Sequence, residues 1–481
     1  MKFKVDKEVL IKGIDTIQNV ISAKATLPIL SNFLLETNKD GLRMTATDLN
    51  IGISCVIPVE ILEQGSITIP ARRFSNIIRE LSDTMVEVNT KKNNIVLIEG
   101  KVCQFKIIGL PADEFPKLPE FKDKEVIQLE QLVLKQMLNL TSFAVSMDES
   151  RYILNGILFK FSQNNFSLVA TDGKRLAIAT RKLKQSSSKE IKIIIPIKTI
   201  QELMRNLQDE GDMSLVIGPN QVLFDFKDTM IISRIIEGEF PDYHQVIPPQ
   251  SDNKIKVNRE QFLLAVRRAA LLATPDYQAV KMEIFKDKMV ISKSTPDVGE
   301  SREEVGIQFA GKEMVIGFNP AYLSDVLKNV SVETTEWEVS GSEKPGVMRG
   351  DGYVYIVLPM RLGYMDDIKT TIAAVLKELE TRTVQAAASD PAQHFSKVFA
   401  KKELQHIKMA YFRKGILAIT VDSATWLYHL SMRKQEVLSR LAGLSKEVKD
   451  IRFVIGEIEA ADTGRQSRPK AGGAKKVAKA E

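Results

Sequence analysis

The sequence contains few of the residues that build disulfide frameworks, metal centres and nucleophilic active sites. It has two cysteines, Cys55 and Cys103, and four histidines in 481 residues. The cysteines lack CxxC or Cys/His ligand spacing and can pair only once, so we expect ordinary core residues. No histidine lies in an HExxH motif or a triad context. The sequence therefore predicts no metal site, no cofactor and no catalytic residues.

Signals for nucleotide hydrolysis, membrane insertion and secretion are missing as well. The Gly-Lys pairs at 100–101, 173–174 and 311–312 lead into Val, Arg and Glu, whereas a phosphate-binding loop needs Ser or Thr there. No stretch approaches the roughly 18 consecutive apolar residues of a spanning helix. The N-terminus runs directly into an amphipathic pattern without an apolar signal core. We expect a cytoplasmic, nucleoid-associated protein without membrane contact.

The composition is that of a globular chain, with 44% hydrophobic and 27% charged residues, and its length predicts several domains. The net charge of +6 is unevenly distributed. Residues 1–362 carry a net charge of −1 and residues 363–481 carry +7. Within the latter, residues 463–481 hold six bases and one acid among small residues, which is typical of a disordered basic tail.

An internal repeat occupies the first three quarters of the chain. Ala46-Thr47-Asp48 recurs as Ala170-Thr171-Asp172, 124 residues later, and Phe115-Pro116 recurs as Phe240-Pro241, 125 residues later. Residues 1–362 are therefore read as three units of about 120 residues, each with two amphipathic helices and many short strands. The predicted helices are 5–22, 71–82, 129–146, 197–208, 257–274 and 319–330. Hairpin-like joints such as 38–41 favour antiparallel sheets that carry helices on one face, an α+β class.

The predicted helices carry twelve bases and eight acids. This surplus is a weak indication of nucleic-acid contact, and taken alone it is better explained by the solvated faces of amphipathic helices.

Several strings in these repeats resemble the bacterial DNA polymerase III beta subunit family, the sliding clamps, in order along residues 1–362. The strings are TLPILSN (26–32), TATDLNI (45–51), PARRF (70–74), SRYILNGILF (150–159), VATDGKRLA (169–177), EGEFPDY (237–243), IGFNPAYLSDVL (316–327) and YIVLPMRL (355–362). The resemblance implies clamp domains at 1–124, 125–249 and 250–362. It also implies a head-to-tail homodimeric ring around double-stranded DNA, with helices inside and sheets outside, and no enzymatic activity.

The resemblance implies three sets of site residues. The DNA-facing candidates are Lys24, Arg72, Arg73, Arg79, Lys135, Lys198, Arg205, Arg267 and Arg268. The ring-closing candidates are Leu271, Leu272, Glu300, Glu303 and Glu304. A hydrophobic pocket for a short linear motif, in which Arg175 and Arg361 hold polar ends of the peptide, comprises Leu154, Thr171, Gly173, Arg175, Leu176, Pro241, Val246, Asn319, Tyr322, Ile356, Leu358, Met360 and Arg361. The implied partners of this pocket are the DNA polymerase III alpha subunit, the clamp loader and repair proteins.

The chain departs from the family by continuing beyond Leu362. Residues 363–392 are read as a helix (365–382) and a linker, and residues 461–481 as the disordered tail. Between them, the order of a short helix near 394–404, two strands, a long helix after Asp422 or Ser423 and a last strand predicts a small α+β domain at 393–460.

The string FRKGILAITVDSATWLYHLSMRKQEVLSRLAGL, with KDIRFVIG, resembles the DciA family of replicative-helicase loaders, whose folded part is KH-like. Phe395 and Ala400 depart from that family's usual Trp and Gly. We expect Trp426 and Leu430 to pack in the core, and Arg433, Lys434, Arg440 and the tail to be better candidates for partner or nucleic-acid contact. The extension is therefore predicted to recruit the replicative helicase, with a plain DNA-binding domain as the alternative.

Overall fold

The structure is a computed structural model. It describes residues 1–21, 27–119, 121, 126–183, 190–296, 298–362, 398–413, 415–444 and 448–456. The chain divides into two compact units, residues 1–363 and residues 364–481. The predicted helix at 365–382, the linker and the tail lie outside the described residues.

Each repeat of the first unit contains two helices and a set of short strands. The elements of the first repeat are β1 (Lys2–Asp6), α1 (Lys7–Ile17), β2 (Asn32–Asn38), β3 (Gly41–Thr47), β4 (Ile51–Ile57), β5 (Glu60–Glu63), β6 (Gly65–Pro70), α2 (Ala71–Glu80), β7 (Met85–Thr90), β8 (Ile95–Glu99) and β9 (Gln104–Ile108). Those of the second are β10 (Val126–Glu130), α3 (Gln131–Thr141), β11 (Gly156–Ser162), β12 (Asn165–Thr171), β13 (Arg175–Lys182), β14 (Ile191–Pro196), α4 (Ile197–Asn206), β15 (Asp212–Ile217), β16 (Gln221–Asp225) and β17 (Thr229–Arg234). Those of the third are β18 (Lys254–Asn258), α5 (Arg259–Ala270), β19 (Val280–Ile284), β20 (Lys288–Thr295), β21 (Gly299–Phe309), β22 (Met314–Phe318), α6 (Pro320–Asn329), β23 (Thr334–Glu338), β24 (Gly346–Gly350) and β25 (Tyr353–Val357).

The first helix of every repeat begins two residues later than the periodicity predicts, because a strand of five residues precedes it. In β1 the alternating residues Phe3 and Val5 are buried at 0% and 2% exposure, which is the period of a strand. The helix starts where Asp6 caps it by accepting the Glu8 and Val9 amides. The predicted helical starts at 5, 129 and 257 were therefore wrong by two residues, which are the last two residues of the preceding strand.

Antiparallel strand pairing joins the repeats into continuous sheets. The last strand of the second repeat, β17, pairs with β4 of the first. In the same way β25, the last strand of the third repeat, pairs with β13 of the second. These joints produce an eight-stranded and a twelve-stranded sheet, and the main core extends through all three repeats. The α+β class with antiparallel sheets and packed helices is confirmed.

The second unit is a small α+β domain. Its strands and helices are β26 (Ile407–Arg413), β27 (Ile416–Val421), α7 (Ala424–Met432), α8 (Lys434–Leu444) and β28 (Asp450–Ile455). In the described residues β27 lies at the centre of the sheet, antiparallel to β26 and parallel to β28.

The predicted long helix is two helices, because Arg433 at φ −101° and ψ 11° ends α7 before α8 begins. Ser423 occupies the N-cap position of α7 without a side-chain cap bond. Leu430 is fully buried, and Trp426 packs against the same core, as predicted. No helix in the described ranges is long and apolar enough to cross a bilayer.

Candidate functional site

The joint between the second and third repeats has an apolar patch on the sheet face opposite the main core. In β13, Ala177 and Ala179 belong to the main core, while Leu176 and Ile178 belong to a separate cluster. The β13–β25 register places Leu176 opposite Ile356. The buried members of this joint cluster are Leu158, Val169, Leu176, Ile178, Ile194, Val347 and Ile356.

Further predicted pocket residues leave apolar surface exposed near this joint. Val246 is 58% exposed and Leu358 is 46% exposed. Pro241 and Arg361 are exposed too, and Met360 is half-buried. Exposed aliphatic side chains beside a buried apolar patch suit a site that takes an apolar segment of a partner.

The segment that follows β25 ties the two repeats together. The Leu358 amide donates to the Lys174 carbonyl at 2.9 Å, and the Met360 amide donates to the Gly317 carbonyl at 2.8 Å. A Cβ on Gly317 would lie 2.6 Å from the Met360 carbonyl oxygen, so the close approach requires glycine. Asn319 caps α6 beside it by accepting the Ala321 amide at 2.9 Å.

A tight turn at the start of β13 places Gly173 at the surface. The Thr171 hydroxyl donates to the Arg175 carbonyl at 2.6 Å and accepts the Gly173 amide at 3.0 Å. Gly173 has φ +85°, a conformation that favours glycine. Nearby, the backbone carbonyl of the half-buried Leu154 accepts a hydrogen bond from the Ser146 amide at 3.0 Å.

Arg175, next to this turn, links the second and third repeats through ion pairs. Its Nε lies 3.0 Å from Asp172 Oδ2, and its Nη1 lies 2.7 Å from Asp325 Oδ2 on α6. Its Nη2 donates to the Phe143 carbonyl. The guanidinium carbon lies 4.3 Å from the centre of the Tyr322 ring, a cation–π distance.

The predicted role of Arg175 in holding a peptide end differs from this geometry. Its side chain is only 9% exposed and its donors face protein groups. Arg361, in contrast, is exposed. Burial raises the pKa of Tyr322 and of Tyr355, whose hydroxyl donates to the Tyr322 carbonyl at 2.9 Å, so both phenols stay neutral at pH 7.

Most of the bases predicted to face DNA are engaged in ion pairs within the chain. The pairs are Arg79 with Asp15 at 2.6 Å, Lys135 with Asp209 at 2.8 Å, Lys198 with Asp48 at 2.5 Å, and Arg205 with Glu202 and Arg268 with Glu303. Arg72, Arg73 and Arg267 are exposed and form no ion pair with another described residue. Lys24 lies outside the described residues. Among the described bases that were predicted to face DNA, these three arginines are the ones available to phosphates.

Lys198 marks the joint between the first and second repeats. Besides the Asp48 carboxylate, its ammonium group donates to the Val20 carbonyl at 3.2 Å, and both acceptors belong to the first repeat. On the same helix Glu202 is 2% exposed, and burial raises the pKa of its carboxyl group. These contacts give α4 a structural role at the joint.

Two strand edges of the first unit lack the partner that their counterparts have. By position in the repeat, β9 corresponds to β17 and β25, and residues 299–306 of β21 correspond to β4 and β13. Among the described strands β9 pairs with β8 alone, and this half of β21 pairs with β20 alone. Apolar side chains remain exposed at both edges, with Ile108 at 71% and Val298 at 52%.

The predicted ring-closing residues lie beside the β21 edge. Leu271 is 81% exposed, whereas Leu272 is half-buried. Glu303 binds Arg268, which lowers the pKa of the carboxyl group, and Glu304 lies 3.1 Å from Lys288. The Glu300 side chain accepts the Ser294 hydroxyl at 2.8 Å.

No group of three or more His, Cys, Asp or Glu side chains in the described part of the chain is arranged to hold a metal ion.

Each of the three repeats and the C-terminal domain matches a known protein family. Residues 1–119, 128–242 and 244–361 match the N-terminal, central and C-terminal domains of the DNA polymerase III beta subunit. Residues 368–453 match "Dna[CI] antecedent, DciA".

Similar proteins and structures agree on the first unit. The beta sliding clamp of Bacillus subtilis is 33% identical over 376 residues, covering 75% of this chain and 100% of that protein. That of Chlamydia pneumoniae is 31% identical over 363 residues, covering 75% and 99%. A crystal structure of the Bacillus subtilis DNA polymerase sliding clamp superposes with a TM-score of 0.72 at 32% identity, covering 75% of this chain and 99% of that one. A Pseudomonas aeruginosa sliding clamp bound to griselimycin gives a TM-score of 0.72 at 30% identity, covering 75% and 100%.

Proposed function

This chain belongs to the DNA polymerase III beta subunit family, the sliding clamps, and carries a C-terminal DciA domain; we propose that it tethers polymerase to DNA as a ring and recruits the replicative helicase through that domain. The family is a non-catalytic accessory subunit of DNA polymerase. The chain accordingly acts as a processivity factor in DNA replication.

The observation that carries the ring is the repeated strand pairing. Both internal joints pair the last strand of one repeat, β17 or β25, with a strand of the preceding repeat, β4 or β13. Strands β4 and β13 occupy the same position in their repeats. Only β9 and the first half of β21 lack such a partner among the described strands. The same pairing between two chains satisfies both edges in a head-to-tail dimer. Charge supports this match, since Lys101 and Lys106 flank the β9 edge and Glu300, Glu303 and Glu304 lie on β21.

Encirclement is compatible with a set of predicted DNA-facing bases of which five form ion pairs within the chain. A closed ring is retained on duplex DNA by topology, so contacts to phosphates need only be weak and independent of sequence. Arg72, Arg73 and Arg267 are the proposed phosphate contacts. Native mass spectrometry tests the ring, with two chains expected per particle, and a monomer at micromolar concentration would contradict it.

The joint cluster and the side chains around it form the proposed pocket for a linear motif of the DNA polymerase III alpha subunit, the clamp loader and repair proteins. The twelve-stranded sheet supplies a rigid apolar base, and Val246, Leu358 and Met360 supply adaptable side chains. A fluorescent motif peptide titrated against wild type and Leu176→Asp tests this assignment. We expect binding to be lost in the variant, while Leu264→Asp, on α5 away from the joint, leaves it intact.

The C-terminal domain is the proposed contact for the replicative helicase. Its match to the DciA family supports this assignment, and the covalent link keeps the domain near the ring at an effective concentration on the order of mM if the linker is flexible. A pull-down of helicase by the full chain and by a chain ending at Leu362 is the test. Equal retention by both would refute helicase recruitment, whereas salt-sensitive DNA binding without helicase retention would favour the DNA-binding alternative.

A further inference from the structure

The loop 271–279 connects α5 to β19 and lies beside the half of β21 that pairs with β20 alone among the described strands. Leu271 of this loop is 81% exposed, and Val298, between β20 and β21, is 52% exposed. Both side chains lie where a second chain closes the ring in the proposed dimer. We call residues 271–279 the closing loop.

The backbone of the closing loop bonds to the preceding helix and to itself. The amides of Leu272 and Ala273 donate to carbonyls of α5 at 3.3 and 3.0 Å. Thr274 and Tyr277 exchange two further backbone hydrogen bonds at 3.2 and 3.1 Å. Among the described residues, no backbone hydrogen bond joins the loop to β20 or β21. The position of the loop over these strands therefore depends on side chains.

Two side chains of β20 bond to backbone carbonyls of the closing loop. The Thr295 hydroxyl donates to the Leu272 carbonyl at 2.5 Å, and the Lys293 ammonium group donates to the Ala279 carbonyl at 2.8 Å. Thr295 is 4% exposed and Lys293 is 6% exposed, so water has little access to either bond. Because Leu272 and Ala279 lie near the two ends of the loop, the two bonds hold it at both ends.

Lys293 is a charged residue at a position that strand alternation assigns to the core. It follows Met289 and Ile291 at alternate positions of β20, and both of these belong to the main core. Its ammonium group forms no ion pair with another described residue, and burial lowers its pKa. A buried ammonium group needs an acceptor, and the Ala279 carbonyl supplies one. The side chain thus contributes a bond to the loop at a site where an apolar residue would serve the core.

Ser301 is a neighbouring buried hydroxyl that does not bond to the loop. It lies directly opposite Lys293 in the β20–β21 register. Its Oγ is buried without a hydrogen-bond partner among the described groups. Directly opposed residues share a face of the sheet, so Ser301 has surroundings similar to those of Lys293 but no contact with a loop carbonyl.

We propose that Thr295 and Lys293 are positioning residues for ring closure, which hold the closing loop in the conformation in which Leu271 meets the partner chain. A loop that is already ordered in the free chain loses less conformational entropy when two chains associate. The two buried side chains thereby stabilise the contact between chains through the loop. This inference rests on the proposed head-to-tail dimer and assigns part of its stability to residues inside one chain.

The dissociation constant of the dimer tests the proposal, measured on the full chain by fluorescence-detected sedimentation across a dilution series. Thr295→Val keeps the shape of the side chain but removes the hydroxyl. We expect it to raise Kd at least about tenfold, because the dimer has two closing loops and each loses a hydrogen bond. Thr295→Ser keeps the hydroxyl and should leave Kd close to that of wild type.

Lys293→Met is the second test variant, since it keeps the length of the side chain but removes the ammonium group. It should raise Kd as well, because the Ala279 carbonyl loses a charge-assisted hydrogen bond. Subunit exchange between donor- and acceptor-labelled chains should be faster in both Lys293→Met and Thr295→Val than in wild type. An unchanged Kd in both variants would overturn the proposal.

Two controls distinguish positioning from a general loss of stability. Ser301→Ala removes the neighbouring buried hydroxyl that has no bond to the loop, so Kd should not change. Thr335→Val removes a hydroxyl that is buried on β23 of the same repeat, where Thr335 is 1% exposed, and should lower the unfolding temperature without changing Kd. A rise in Kd in either control as large as that in Thr295→Val would also overturn the proposal.

The wild-type measurement separates this inference from the proposed ring. A monomeric wild type would contradict both. A wild-type dimer whose Kd responds neither to Thr295→Val nor to Lys293→Met would overturn the positioning role alone and leave the ring intact.

Discussion

At the scale of single residues, Arg175 shows how the proposed pocket can depend on a side chain whose guanidinium nitrogens contact groups of the protein itself. The guanidinium joins Asp172 in the turn, Asp325 in the next repeat and the Phe143 carbonyl. Removing one member of a buried ionic network leaves the others uncompensated. The pocket turn and the joint between repeats are therefore stabilised by the same group.

Arg175→Ala is expected to lower the free energy of unfolding of the first unit by about 3 kcal/mol, because two carboxylates lose their partner. Urea unfolding of the full chain measures this change. Peptide affinity at the joint cluster should fall as well, since the Gly173 turn loses its support. Arg151→Ala, an exposed arginine beside the same turn, should change stability by less than about 0.5 kcal/mol, and a comparable destabilisation there would argue against this role of Arg175.

A second residue-scale prediction concerns pH. The hydrogen bond with His406, at 2.6 Å, lowers the pKa of Asp422 below its usual value. A carboxyl group with a lowered folded pKa stabilises the fold above its unfolded pKa of about 3.9 and loses that contribution as pH falls through the folded value.

We expect the C-terminal domain to lose more stability between pH 6 and pH 3 in wild type than in Asp422→Asn. Urea unfolding followed by Trp426 emission in a Trp337→Phe background measures the difference. Identical pH profiles for the two proteins would show that the Asp422 carboxylate contributes nothing.

At the scale of elements, two strand edges that lack an inter-repeat partner among the described strands are the proposed sites of association between chains. Strand β9 and the first half of β21 occupy the positions that make the internal joints in the other repeats. An exposed edge with apolar side chains is a site for pairing with another chain. The basic β9 edge and the acidic β21 residues also make the contact directional.

Ile108→Asp is expected to convert the dimer to monomers, because it places a carboxylate on the exposed β9 edge that would meet Glu300, Glu303 and Glu304. Size-exclusion chromatography with light scattering measures the mass across a dilution series. Leu62→Asp, a similarly exposed aliphatic position on the other edge strand of this sheet, should leave the mass unchanged. Equal dissociation in both variants would remove β9 from the interface.

The sequence is sufficient to predict elements but not their partners. Hydrophobic periodicity and the repeat spacing predicted the positions of α1 to α6, whereas for most strands of the three repeats the sequence predicted their presence and not their positions. The starts of α1, α3 and α5 were misplaced because helical periodicity continues into the preceding strand, where Phe3 and Val5 also face the core. Pairings over more than 100 residues, such as Arg175 with Asp325, leave no local pattern. Strand β9 could have been found by extending the repeat alignment to β17, since both close a unit.

At the scale of the whole molecule, the two units differ in net charge. Residues 1–362 are nearly neutral, and five of the nine bases predicted to face DNA form ion pairs within the chain. The folded C-terminal region 398–456 has a net charge of +6, larger than that of the tail. In the proposed function, retention by the first unit depends on ring closure, and the positive charge of the second unit would make any DNA contact of that unit sensitive to salt.

After loading onto plasmid, the chain ending at Leu362 is expected to stay on circular DNA at high salt and to leave once the DNA is linearised. The triple variant Arg72→Gln, Arg73→Gln, Arg267→Gln should load less efficiently, with a salt slope reduced by up to about 0.9 for each phosphate interaction that is removed. Gel filtration of labelled protein with the plasmid measures retention. Arg79→Gln should behave as wild type because Asp15 already neutralises Arg79, and salt-induced release from intact circles would contradict encirclement.

The pairing of like strands at every joint has a geometric consequence. A head-to-tail contact closes only if the turns at all joints sum to a full circle; otherwise the same contact propagates as an open filament. In the proposed dimer two kinds of joint contribute to that sum: joints inside a chain, which covalent linkage holds together, and joints between chains, which can dissociate. A substitution at Lys198 or Asp48 that changed the angle of the joint inside one chain would therefore alter the fit of the joints between chains. The joints between chains are also the points at which the proposed ring can open.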